Sequence, residues 1–183
     1  MIAFTATDSG GSGVNFESIA AVVDGLALAV GPWASPSFEA QARGLADGLH
    51  GASISLADNA GNSTTVPFTI AVDTIVPVVA NLSPAEGDVT NASPKISLDV
   101  ADGTGSGINP SASRFILTNR VTASTLRPSL NAGALSYQVP LTAVGANLGE
   151  GPLPPGFYTV DAFIQDLAGN ESHLSAFFTV LLF

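Results

Sequence analysis

Apolar and polar residues alternate at period two through much of this chain. Ile2, Phe4 and Ala6 form one such run, Ala52, Ile54 and Leu56 another, followed by Ile96, Leu98 and Val100, then Val160, Ala162 and Ile164. Successive side chains on a strand point to opposite faces, so each run predicts a strand with one buried face. Further strands are predicted over 19–23, 26–30, 38–42, 66–72, 78–82, 115–117 and 174–180, with 136–141 as an extra one. Asp24-Gly25 is a two-residue hairpin signal, because a tight primed turn needs positive φ at its centre. Asp47-Gly48 is a second turn, leading into the strand that carries His50. The fold class is all-β.

Two signatures are written twice. Asp58-Asn59-Ala60-Gly61-Asn62 returns as Asp166-Leu167-Ala168-Gly169-Asn170, each time directly after an alternating run and directly before another apolar-rich strand. Asp8-Ser9-Gly10-Gly11-Ser12-Gly13-Val14-Asn15 matches Asp102-Gly103-Thr104-Gly105-Ser106-Gly107-Ile108-Asn109 as D-x3-S-G-[VI]-N. Asp8 to Asp58 is 50 positions and Asp102 to Asp166 is 64, so the second copy carries a 14-residue insertion, placed around 118–150. An internal repeat of this kind predicts two antiparallel sandwiches in tandem. Residues 1–73 form the first and 74–183 the second. The first has no counterpart to the strand at 78–82, so its N-terminal strand is missing from the sequence. Between them Asp73-Thr74-Ile75-Val76-Pro77 reads as a short, stiff connector, since Pro77 cannot donate to a ladder and holds Val76 extended.

The length of 183 residues suits two small domains. With 46% hydrophobic and only 11% charged residues, the chain can bury a core, and its surface is built from Ser, Thr, Asn and Gly. The net charge of −10 excludes a nucleic-acid partner, because five scattered bases cannot replace phosphate counterions. There is no cysteine, hence no disulfide and no thiol chemistry. No apolar run approaches the ~18 residues of a membrane span, and Met1-Ile2-Ala3-Phe4 lacks the basic start of a signal peptide. Asn62, Asn81, Asn91 and Asn170 stand in N-x-S/T sequons, two of them created by the Gly-Asn turn itself.

His50 aligns with Tyr158 when the two D-x-A-G-N motifs are superposed. Tyr158 stands where a tyrosine corner sits in a Greek-key sandwich, its hydroxyl bonding backbone upstream, and His50 is expected to do the same with its imidazole. Trp33, between two prolines, is expected as a lid on one end of the core, with ligand stacking as the alternative. Gly103, Gly105 and Gly107 follow a strand but precede no helix, so they make no phosphate cradle. Two histidines with no partner nucleophile assemble no triad, and no catalytic residue is assigned.

The ordered set D-x3-S-G-[VI]-N, D-G, D-x-A-G-N and V-D-T-x-x-P resembles the bacterial immunoglobulin-like (Big-type) repeats found in tandem in surface proteins and adhesins. The resemblance spans nearly the whole chain and implies two immunoglobulin-like sandwiches, export to the cell surface, and a role as spacer or adhesive module beside copies of itself. In such a sandwich both signature loops lie at one end, so Asp8 is expected to face Asp58 and Asp102 to face Asp166. The connector is expected to bring Asp73 to Asp102, Asn109 and Asp166. Carboxylate and amide oxygens in that number suit calcium, which takes about 6–8 oxygen ligands. The competing reading is structural: Asp before a Gly-rich loop accepts backbone N–H bonds, and Asn caps the hairpin. Three functions follow as expectations: a stalk or adhesin segment; a filament or sheath subunit whose incomplete first domain accepts a neighbour's strand; and a glycan-binding accessory module using Trp33 and the inserted segment.

Overall fold

The structure is a computed structural model that describes residues 1–31, 36–142, 144–145 and 147–181. Trp33, the expected lid, lies outside the described residues. All regular structure among the described residues is strand, and no helix is long and apolar enough to cross a membrane. The chain divides into two compact units, Met1–Asp73 and Thr74–Phe183.

The first unit holds β1 (Ile2–Thr5), β2 (Val14–Val23), β3 (Leu26–Leu28), β4 (Ser37–Ala40), β5 (Gly48–Asp58) and β6 (Ser63–Val72). β1 pairs with β4, and the other four make an antiparallel sheet in the order β3-β2-β5-β6. The β2–β3 turn has Asp24 at φ 49° and Gly25 at φ 80°, the pair of positive values that matches the twist of the flanking strands. Six of its buried residues form two small clusters, Ala6, Ile19 and Phe38 in one and Ala21, Ala40 and Ile54 in the other, and Val23 and Ala52 are buried outside them.

The second unit holds β7 (Val78–Ser83), β8 (Asp88–Thr90), β9 (Lys95–Ala101), β10 (Arg114–Thr118), β11 (Ala123–Leu126), β12 (Ser129–Asn131), β13 (Ala134–Gln138), β14 (Gly156–Gln165) and β15 (Glu171–Val180). One sheet runs β12-β13-β9-β7, the other β11-β10-β14-β15-β8. Their inner faces meet in a single core that includes Ile96, Leu98, Phe115, Leu135, Val160 and Phe178, all 1% exposed or less.

Strand for strand, β1 to β6 take the ladder positions of β9, β10, β11, β13, β14 and β15. The strand at 134–138 is therefore not the extra one expected at 136–141. Leu135 lies opposite Leu98 and is fully buried, so β13 fills the place that β4 fills in the first unit. The added strand is β12, whose three residues are all exposed and carry no alternation to reveal it. Most of the extra length is the loop 139–155, ten residues longer than its counterpart 41–47. β8 was also invisible to periodicity: three residues long, it pairs parallel with β15.

β7 and β8 have no counterpart among the described residues of the first unit. The consequence is read in burial. Ala176, Phe178 and Val180 on β15 are 6%, 0% and 0% exposed. The equivalent Phe68, Ile70 and Val72 on β6 are only half-buried.

The two corner residues do the same work. The Tyr158 hydroxyl donates to the carbonyl of Pro154 at 2.7 Å, and His50 Nε2 meets the carbonyl of Ala46 at 2.8 Å, each four residues upstream. His50 adds a second bond: its Nδ1 lies 2.6 Å from Asp24 Oδ2 in the β2–β3 turn. That bond, with the Ala46 carbonyl, raises the imidazole above its ordinary 6.5. The same bond lowers Asp24 below its ordinary 3.8. A raised histidine contributes stability below the unfolded-chain value that is lost as pH rises through the folded one; a lowered aspartate contributes stability lost on acidification. The first unit should therefore melt higher near pH ~5.5 than near pH ~8.5. His50→Tyr, which keeps the carbonyl bond as Tyr158 does, should flatten that difference; an undiminished difference in the variant would refute the assignment.

Candidate functional site

The signature loops pack against each other at one rim of each unit. In the first, Asp8 Oδ2 accepts from the N–H of Gly13 at 2.8 Å, folding the loop back onto its own carboxylate. Asn59 N–H then donates to the Gly13 carbonyl at 2.9 Å, and Ala60 N–H to Ser12 Oγ at 2.9 Å. Asp58 Oδ1 accepts from Ala60 and Asn62 N–H, and its Oδ2 from Asn62 Nδ2 at 2.7 Å. Those bonds, the Asn62 side chain first, hold the Asp58 carboxyl below the ordinary range.

The second unit repeats the pattern closely. Asp102 Oδ2 accepts from Gly107 N–H at 2.6 Å, Leu167 N–H donates to the Gly107 carbonyl at 2.8 Å, and Ala168 N–H to Ser106 Oγ at 3.0 Å. Asp166 Oδ1 accepts from Gly169 and Asn170 N–H, and Oδ2 from Asn170 Nδ2 at 2.7 Å. Gly11 and Gly105 are required by space. A Cβ on Gly11 would lie 2.3 Å from Asp8 Oδ1, and one on Gly105 2.5 Å from Asp102 Oδ2.

The expected site residues thus divide. Asp8, Asp58 and Asp166 carry turn hydrogen bonds, as the structural reading requires. Asn109 caps a turn of its own, its Oδ1 accepting from Ala112 N–H at 3.2 Å. Asp102 differs: its Oδ1 is buried and has no hydrogen-bond partner. An ionised oxygen held from water without a donor is costly unless a cation meets it. Asp166, 1% exposed, presents an oxygen within 4.8 Å of one on Asp102. Asp8 and Asp58 join no group of three acids near enough to share an ion among the described residues. Asp73, half-buried, is the last residue of the first unit. Four residues on, the carbonyl of Pro77 accepts from Ser172 Oγ, two residues past the second D-x-A-G-N motif.

A further repeated pair escaped the sequence reading. Ser18 Oγ donates to the Asn15 carbonyl at 2.6 Å and accepts from Ala57 N–H at 2.7 Å. Ser113 Oγ donates to the Asn109 carbonyl at 2.8 Å and accepts from Gln165 N–H at 3.1 Å. The signal was a serine three residues after the motif asparagine in one copy and four in the other, an offset that hides the match.

Gly105→Ala should lower stability by roughly 1–3 kcal/mol, because the carboxylate beside it must move. Asp102→Ala/Gly105→Ala should lose less than the sum of the single changes, since removing the carboxylate removes the clash. Strict additivity in thermal melts would contradict this packing.

No family model matches this chain, and no curated protein matches it. Among solved structures, the fibronectin(III)-like modules of CbhA from Clostridium thermocellum are similar to 98% of this chain over 84% of their own, at 17% identity and a TM-score of 0.55. CopC from Methylosinus trichosporium OB3b matches 58% of this chain over 99% of its own, at 20% identity and a TM-score of 0.41. A Ca2+-stabilized adhesin of an Antarctic bacterium matches 98% over 43% of its own, at 19% identity and a TM-score of 0.37. The likeness to the CbhA modules shows the fold: the chain is built of fibronectin III-like β-sandwiches.

Proposed function

We propose that this chain is a non-catalytic extracellular module of a bacterial surface protein, acting as a stalk or adhesive segment in which calcium binds at the rim of the second unit. The observation that carries the calcium reading is the buried, partnerless Oδ1 of Asp102 beside Asp166. Asp102 and Asp166 would supply carboxylate oxygens. The non-catalytic reading is supported by what the polar side chains already do. Both ring nitrogens of His50 are engaged, and Asp8, Asp58 and Asp166 each accept backbone N–H bonds from their own loops.

Calcium at ~100 times its dissociation constant should stabilise the second unit by about 2.7 kcal/mol, a rise of several degrees in melting temperature that EDTA reverses. Asp102→Asn should abolish the rise. A melting curve indifferent to calcium and chelator alike removes the metal.

One observation favours a second reading, a filament subunit assembled by strand exchange. A groove of about 520 Å³ lies between β1 and β6, lined by Met1, Ile2, Leu45, Phe68 and Ile70 among others. It is where the second unit places β7 and β8 against β9 and β15. An extended strand from a neighbour would complete Phe68, Ile70 and Val72 as β7 and β8 complete their equivalents. Under this reading, size-exclusion chromatography gives oligomers that grow with concentration; a monomer at every concentration removes it.

A further inference from the structure

The outward face of the sheet β11-β10-β14-β15-β8 carries two aromatic stations. At one end Phe157 of β14 is 60% exposed and Phe177 of β15 48%. Phe157 lies opposite Thr179 and Phe177 opposite Thr159, so the two rings are diagonal neighbours on one face. The Arg120 guanidinium stands over the Phe157 ring, 5.7 Å from its centroid. A cleft of about 350 Å³ is lined by Arg120, Pro154, Pro155 and Phe157 among others, and one of about 270 Å³ by Arg120, Phe157 and Phe177 among others. Six positions along β14, on the same face, Phe163 stacks on His173 at 4.5 Å with Arg114 at 4.3 Å over its ring. At about 3.3 Å per residue the stations are roughly 20 Å apart.

Exposed aromatic rings on a polar sheet face are the kind of feature that marks binding. A protein partner would call for one continuous apolar centre. Here the rings are separated by Thr159 and by Asp161, whose Oδ1 lies 3.1 Å from His173 Nε2. A polyanion is disfavoured by the net charge of −10. A neutral pyranose meets both demands, with an apolar C–H face for a phenyl ring and a rim of hydroxyls for guanidinium and carboxylate. We propose that this face binds a linear, neutral polysaccharide, its sugar rings stacked at Phe157–Phe177 and on the half-exposed ring of His173, which Phe163 backs, with Arg120 donating to hydroxyls. This goes beyond the stalk reading, which stands if no sugar binds.

Native affinity electrophoresis of the full chain tests it, with hydroxyethylcellulose, galactomannan and soluble xylan as neutral probes and polygalacturonate as the charged one. Retardation by at least one neutral polymer is expected, and none by polygalacturonate. Phe157→Ala and His173→Ala, one at each station, should each weaken it about tenfold while leaving the melting temperature unchanged. No retardation by any neutral polymer, retardation of both variants as strong as that of the unaltered chain, or retardation by polygalacturonate alone overturns the proposal.

Discussion

A carboxylate folded back onto its own loop organises one rim of each unit. Asp8 and Asp102 each accept the N–H of a glycine five residues ahead, and that bond turns the carbonyl of the same glycine toward the opposite loop. The facing loop, shaped by Asp58 or Asp166 in the same manner, donates to that carbonyl and to the neighbouring serine hydroxyl. A sandwich rim is a place where backbone groups leave their ladders and must find other partners. Here the two loops satisfy one another, and the acids shape the turns, Asp102 keeping one buried oxygen without a donor.

The two units use one pattern to different depths. In the second, β7 and β8 cover the open sides of β9 and β15, and the inward residues of both sheets merge into one core. In the first, where the described residues show no such strands, the buried clusters are two of three residues each. Apolar burial drives folding roughly in proportion to area, so the first unit has the weaker share. The Asp24–His50 bond ties its β2–β3 turn to β5, a tie the second unit manages without at Tyr158.

The all-β fold and the corner residues were legible because their physics is local. Alternation reports a half-buried strand wherever one face is covered, and the paired D-x-A-G-N and D-x3-S-G-[VI]-N motifs report rims. β8 and β12 were not legible, since three residues are too few for a period and those of β12 face solvent throughout. β13 was visible as a strand but misplaced in the topology, because its register against β9 is a long-range property. At the rim, spacing marked Asp8, Asp58, Asp102 and Asp166 alike. Only the coordinates separate Asp102, whose second oxygen finds no donor, from the three that fit as turn residues. The Ser18 and Ser113 clips were hidden by a register shift between Asn15 and Ala20.

Native-state hydrogen exchange at the rim bears most directly on the claim that these loops close each sandwich by clasping one another. The N–H groups of Gly13, Asn59, Gly107 and Leu167 should exchange as slowly as those in the β5–β6 and β14–β15 ladders, since each is held by a partner on a structured loop. Exchange at the rate of an open loop at those four positions would contradict it.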